Sequence, residues 1–334
     1  MNNTRSFSQE SSLKQKITNE IAEFWQQGTF SSFKGAKKTR INYAYFATSP
    51  QQKCLIIVNG RNESYLKYQE LSYDLTRQGF QVFLFDHRGQ GLSERLLKSE
   101  YKGYVESFQD YVNDLNGFID NVVTPHCQSK PYLLAHSMGG AIAARFMQDY
   151  PEKIQASVLS APMLGFNTGA APNVIARGLI KALNGFNRLV DDTPWYLISQ
   201  QDYQVAKFAD NELTQSKVRF KIFTELQEEN PEIQLGGVTL QWLVEGINAQ
   251  KAIFSNITAL TTPTIVLQAG EDTVIDNASQ DYFCQKLHTV HPQSCPTSKP
   301  VLIEGARHEL FFEKDIYRNE TLNTLLDWFE LHSH

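Results

Sequence analysis

The chain has 334 residues, a mass of 38.0 kDa and a formal net charge of −5, from 31 basic and 36 acidic side chains. Hydrophobic residues make up 41% and charged residues 20%, the balance of a chain that builds a large core. Such a mildly acidic chain has no surplus of cations for a phosphate backbone, which argues against nucleic acid as a partner.

No apolar run reaches the roughly 18 residues of a membrane-spanning helix. The polar N-terminus lacks the apolar stretch of an export signal. Four cysteines, at 54, 127, 284 and 295, are too few for a disulfide scaffold and suit a reducing compartment. A cytoplasmic protein is the expectation.

Along the chain, Leu13, Ile17, Ile21 and Phe24 recur at helix spacing within a polar extension over 1–35. Charges of both signs on the opposite face favour packing on the core over lying on a membrane. From residue 40 the pattern alternates. Ile41 to Phe46, Leu55 to Val58 and Val82 to Phe85 read as strands, with a helix near 68–78 between the last two. A helix near 107–122 and a strand from Tyr132 to Ala135 follow, then a helix over 139–149 and a strand from Ala156 to Leu159. Continuous apolar strands separated by helices predict a parallel sheet covered on both faces.

Over 165–255 the alternation stops and amphipathic helices take over. It resumes with a strand at Pro263 to Leu267, a helix near 278–287, a strand at Pro300 to Ile303 and a closing helix. The expected organisation is one α/β core, 36–164 and 256–334, interrupted by a helical insertion.

The strongest motif is Leu134-Ala135-His136-Ser137-Met138-Gly139-Gly140, small-x-Ser-x-Gly between a buried strand and a helix. Such an elbow lifts a serine hydroxyl above the sheet, and its small neighbours let the two backbones pass closely. Serine needs a base and an orienting acid. Asp272 and His308 each follow a late strand, in the chain order Ser, Asp, His. Asp272 is preferred as the acid over Asp276 and Glu271, which read as cap or turn carboxylates. His136 is expected to support the elbow. Backbone N–H groups of Met138 and of Arg61, after the bend at Gly60, are the candidate oxyanion donors. The Arg61 side chain is expected to be solvated in preference to meeting a phosphate.

Asp86-His87-Arg88-Gly89-Gln90-Gly91-Leu92-Ser93, the serine elbow and Ser160-Ala161-Pro162-Met163 together resemble the lysophospholipase and monoacylglycerol lipase branch of the α/β hydrolases, in its bacterial lysophospholipase type. Gly60 to Tyr65, Asn211-Glu212-Leu213-Thr214 and His308 to Glu313 extend the likeness through the insertion. The resemblance implies an α/β-hydrolase fold, a mostly parallel sheet flanked by helices, with the insertion as a cap. It implies a serine hydrolase of lysophospholipids with Ser137 as nucleophile, His308 as base and Asp272 as acid. Monoacylglycerol lipase, general carboxylesterase and transacylase activities are the alternatives, and a non-catalytic binding protein is disfavoured by the complete triad.

Asp86 and Arg88 are expected to hold a loop as a buried ion pair. Peripheral contact with the inner membrane is implied, and no cofactor or obligate protein partner. Asn59 and Arg61 depart from the monoacylglycerol lipase pattern, which favours lysophospholipid as substrate.

The helical stripe of Ile175, Leu179, Ile180, Leu183 and Phe186 is the candidate lining for an acyl chain, with ordinary packing as the alternative. Cys284, His288, His291 and Cys295 have a spacing that admits zinc or a local disulfide, but unpaired residues are favoured. Cys54 and Cys127 read as packing residues.

Overall fold

The structure, a computed structural model, describes residues 5–47, 49, 51–167 and 173–333. An eight-stranded sheet among them has the order β1-β2-β4-β3-β5-β6-β7-β8. The strands are β1 Thr29–Lys34, β2 Arg40–Phe46, β3 Lys53–Val58, β4 Phe80–Phe85, β5 Tyr132–His136, β6 Ser157–Ser160, β7 Thr264–Ala269 and β8 Val301–Ile303. The first two run antiparallel and the rest parallel.

The helices are α1 Glu10–Thr18, α2 Glu20–Gln26, α3 Gln69–Arg77, α4 Phe108–Phe118, α5 Met138–Asp149, α6 Asn173–Val190, α7 Lys217–Glu229, α8 Leu240–Ser255, α9 Asn277–Val290 and α10 Asp315–Leu331. Successive strand residues point to opposite faces, and here both faces are covered. Ile56, Val58, Phe83 and Leu133 pack with α4, α5 and α9 on one side. Leu55, Ile57, Val82 and Leu134 pack with α3 and α10 on the other. This is the expected α/β-hydrolase arrangement.

Three expectations change. The amphipathic N-terminal segment breaks at Asn19 into two helices, whose Leu13 and Ile21 are buried against Tyr73 of α3 and Ile222 of α7. Beyond them, Thr29–Lys34 joins the sheet as an edge strand, although the sequence pattern over 1–35 predicts helix. Its side chains are almost all exposed, so pairing with β2 defines it and no apolar period announces it.

The cysteines are the third correction. Cys54 is bonded to Cys127, with Cα atoms 6.0 Å apart, and Cys284 to Cys295, at 5.4 Å. The first pair is 73 residues apart and meets because the loop after α4 passes the start of β3, a contact that only the fold creates. His288 and His291 are each engaged by a backbone carbonyl, of Ser294 and Thr258. Disulfides persist in oxidising compartments, so the cysteines no longer argue for a reducing one.

In the insertion, α6 lies on α8, and α8 buries Trp242, Leu243 and Ile253 in the main core. Among the described residues, no helix is long and apolar enough to cross a membrane.

Candidate active site

The turn from β5 into α5 places Ser137 at φ 50°, ψ −116°. A non-glycine residue held there stores about 1–3 kcal/mol of strain. The neighbouring backbone makes the turn obligatory. A Cβ on Gly139 would stand 2.2 Å from the Val58 carbonyl oxygen and 2.5 Å from that of Asn59. Only glycine lets α5 start so close to the end of β3.

Two later loops bring partners to this hydroxyl. His308 Nε2 lies 2.9 Å from Ser137 Oγ, and its Nδ1 lies 2.7 Å from Asp272 Oδ2. The other carboxylate oxygen of Asp272 accepts the N–H groups of Val274 and Ile275 at 2.9 and 3.0 Å. The loops are themselves tied together. Gly270 N–H donates to Ile303 and Glu271 N–H to Ala306, at 3.0 and 2.8 Å. Asp276 instead caps α9, accepting from Ala278 N–H and the Ser279 hydroxyl. Glu271 is exposed.

Burial pushes the Asp272 carboxyl upward. The hydrogen bond and charge of His308, with the two N–H donors, outweigh that and leave it below the ordinary value. His136, whose ring centroid is 4.9 Å from that of His308, is pushed down to about 4 by burial and stays neutral near pH 7. It therefore sits beside His308 as an uncharged ring.

The loop after β3 faces the nucleophile. A Cβ on Gly60 would lie 3.3 Å from Ser137 Cβ. The Gly60 carbonyl accepts from Gln90 Nε2 at 2.8 Å. Because a trans peptide directs its C=O and N–H oppositely, the Arg61 N–H points away from Gln90. Met138 N–H, at the first turn of α5, has no intrahelical acceptor. The N–H groups of Met138 and Arg61 remain the candidate oxyanion donors.

Glu63 holds this loop. Its carboxylate accepts from Gly60 N–H at 2.5 Å, Tyr68 hydroxyl at 2.7 Å and Lys67 Nζ at 2.7 Å. Lys67 also reaches Glu309, beside His308, at 2.5 Å. Burial opposes ionisation of Glu63, but the Lys67 charge and the hydrogen bonds from Lys67 and Tyr68 bring it down to about 2.

Asp86 and Arg88 do not pair with each other, contrary to expectation. Asp86 accepts from Ser64, Tyr65 and Leu92, and burial pushes its carboxyl up to about 7. Arg88 forms a two-point contact with Asp114 of α4, at 2.6 and 2.7 Å. Positions two apart on a turning loop face different neighbours, so proximity in sequence misleads here.

The sequence matches the family described as serine aminopeptidase, S33, over residues 49–315. The chain belongs to this family. It is 37% identical to lysophospholipase L2 of Escherichia coli over 94% of this chain and 91% of that one. A probable lysophospholipase L2 of Haemophilus influenzae is 33% identical, with 92% and 93% covered. Monoglyceride lipase of Rattus norvegicus is 26% identical, with 85% and 84% covered. Among solved structures, monoglyceride lipase from Saccharomyces cerevisiae superposes with a TM-score of 0.71 at 17% identity, over 92% and 94% of the two chains.

In this S33-family chain the insertion is docked on the loops that carry Asp272 and His308. Asn211 and Leu213 carbonyls accept from Arg307 and from Glu309 N–H. The Thr214 hydroxyl donates to Phe312 O, and the Thr273 hydroxyl to Glu212. Sequence reasoning missed these staples and the Glu63–Lys67–Glu309 chain. The four-residue spacing of Glu63 and Lys67 was a visible signal; Glu309, 242 residues from Lys67, gave none.

Two expected roles are corrected. Ile175 and Leu179 do not line an enclosed acyl trench, being 67% and 57% exposed. The inward side of α6 is Asn184 and Asn187, bonded to Gln241, Thr193 and Trp195, with Ile180 and Leu183 half-buried. Asparagines anchoring a helix by hydrogen bonds escape a hydrophobic-period reading. Nor is the Arg61 side chain solvated: it stacks over Trp242 at 5.4 Å and donates to Gly236 O at 2.5 Å.

Proposed function

We propose that this chain hydrolyses the fatty-acyl ester of lysophospholipids, releasing a fatty acid and a glycerophospho-alcohol. The hydrogen-bonded series Ser137–His308–Asp272 carries the reading, in a chain similar over nearly all its length to proteins named lysophospholipase L2.

Ser137 Oγ attacks the ester carbonyl while His308 Nε2 takes its proton. Asp272 fixes the imidazole tautomer and stabilises the imidazolium. The developing oxyanion accepts from the N–H groups of Met138 and Arg61. The tetrahedral intermediate then expels the alkoxide, which takes the proton from His308 and leaves acyl-Ser137. Water, deprotonated by His308, attacks this ester and frees the fatty acid. A second alcohol in place of water gives transacylation.

The outward apolar side of α6, with Phe186 56% and Leu189 85% exposed beside exposed Lys181 and Arg188, supports peripheral contact with the lipid surface that holds the substrate.

Fatty-acid release from lysophosphatidylcholine, lysophosphatidylethanolamine and monoacylglycerol tests the reading, with Ser137→Ala alongside. The lysophospholipids should turn over faster, and Ser137→Ala should lose about 10⁴–10⁶-fold in kcat. Faster turnover of monoacylglycerol would remove the head-group assignment. Activity surviving in Ser137→Ala would remove the mechanism.

A further inference from the structure

Arg61 does two things with one residue. Its backbone follows Gly60, which lies against Ser137, and its side chain runs into the seam between core and insertion, against Gly103, Gly236 and Trp242. The guanidinium is held there in an incomplete state. Nη2 bonds the Gly236 carbonyl, while Nε is sealed from solvent with no acceptor.

A buried cation is normally matched by a carboxylate, because desolvating it alone is costly. Lys67, Arg88, Arg219 and Arg318 all obey this rule, each within salt-bridge distance of one or more acids. Among the described residues, Arg61 has no such acid. Burial lowers its pKa to about 10, so it remains cationic at neutral pH. Arg95 also lacks a carboxylate, but it caps the carbonyls of Glu232 and Gln234.

Arg61 lines a cavity of about 350 Å³ that also touches Asn62, next in the same loop, and Glu309, next to His308. The same cavity is walled by Tyr203, Phe223 and Asp202, whose carboxylate accepts from the Tyr196 hydroxyl. An unmatched fork-shaped donor, beside an ester-cleaving site, fits a tetrahedral anion.

We propose that the Arg61 side chain receives the phosphodiester of the lysophospholipid head group, so that this residue selects phosphorylated over neutral glycerol esters. The proposal rests on the functional reading above and names its specificity determinant. The aromatic walls and Asp202 would then face the cationic amine of a choline or ethanolamine head group.

Arg61→Met keeps the backbone N–H and much of the side-chain volume while removing the charge. The ratio of kcat/KM for lysophosphatidylcholine to that for monoacylglycerol of the same acyl chain should fall about 10–100-fold, mainly through KM. Arg61→Lys should recover part of it. Glycerophosphocholine should compete with monoacylglycerol on the native enzyme and lose that competition on Arg61→Met. An unchanged ratio with equal inhibition of both proteins would overturn the proposal and make Arg61 a structural tie between loop and insertion. A native enzyme that leaves every lysophospholipid uncleaved would overturn the functional reading, and this proposal with it.

Discussion

Strands β3 to β7 are almost completely buried, whereas α6 of the insertion turns Ile175, Leu179 and Phe186 outward. The sheet uses its apolar residues to hold reacting groups in place. The insertion leaves the apolar side of α6 outside, while its α8 packs Trp242, Leu243 and Ile253 into the core and its Thr214 hydroxyl bonds the Phe312 carbonyl. The residues around Ser137 are thus held by the core, while α6 offers an apolar face to the outside. Substitutions in the two regions should separate chemistry from substrate access.

The largest effect belongs to the core. Asp272→Asn should lower kcat about 10⁴-fold by allowing the wrong imidazole tautomer, with little change in KM. Asp276→Asn, four residues on, should leave kcat nearly intact and at most cost about 1 kcal/mol of stability at the α9 cap. Steady-state kinetics and thermal melts of both variants decide between the two carboxylates. A kcat loss in Asp276→Asn as large as in Asp272→Asn would break the assignment.

Next comes the buried chain beneath the oxyanion loop. Lys67→Met leaves Glu63 and Glu309 facing each other without their cation, which should destabilise the fold by about 3–5 kcal/mol. Glu63 adds a pH signature. Its carboxyl is depressed to about 2 in the fold, against an ordinary 4.5. Its stabilisation is therefore complete above pH 4.5 and is lost as pH falls through about 2. Melting temperatures from pH 5 to 2 should fall more steeply for the native chain than for Glu63→Gln. Parallel slopes would remove Glu63 from the network.

The disulfides give an effect of similar size. Closing 73 residues through Cys54–Cys127 stabilises by about 4 kcal/mol in the chain-entropy estimate. Closing 11 through Cys284–Cys295 stabilises by about 3 kcal/mol. Denatured, unreduced protein should show no free thiol, and reductant should lower the melting temperature. Four free thiols per chain would return the cysteines to the unpaired reading.

Much of this core was legible in the sequence. Ser137, Asp272 and His308 each follow an apolar strand, so local pattern alone places them at the carboxyl ends of the parallel strands. Elements defined by partners were not legible. Thr29–Lys34 is a strand only because β2 lies beside it. Glu309 matters through Lys67, and Cys54 through Cys127, contacts that the fold makes across 242 and 73 residues. The insertion was the least legible region, because an apolar stripe on a helix reads alike whether it meets a core, an acyl chain or a bilayer.

The smallest effect tests that stripe directly. Leu179 is 57% exposed and touches no enclosed core, so Leu179→Glu should leave the melting temperature within about 1 °C. If α6 meets lipid, a charge at its centre opposes insertion into the interface. Binding to anionic phospholipid vesicles should then weaken several-fold, and turnover of long-chain lysophospholipid presented in vesicles should fall with it. Turnover of a soluble short-chain ester should be equal in the two proteins, since Ser137 and its partners lie on the core. An equal loss on both substrates would place Leu179 in the chemistry rather than at the lipid surface. Unchanged vesicle binding would leave the outward face of α6 without a lipid role.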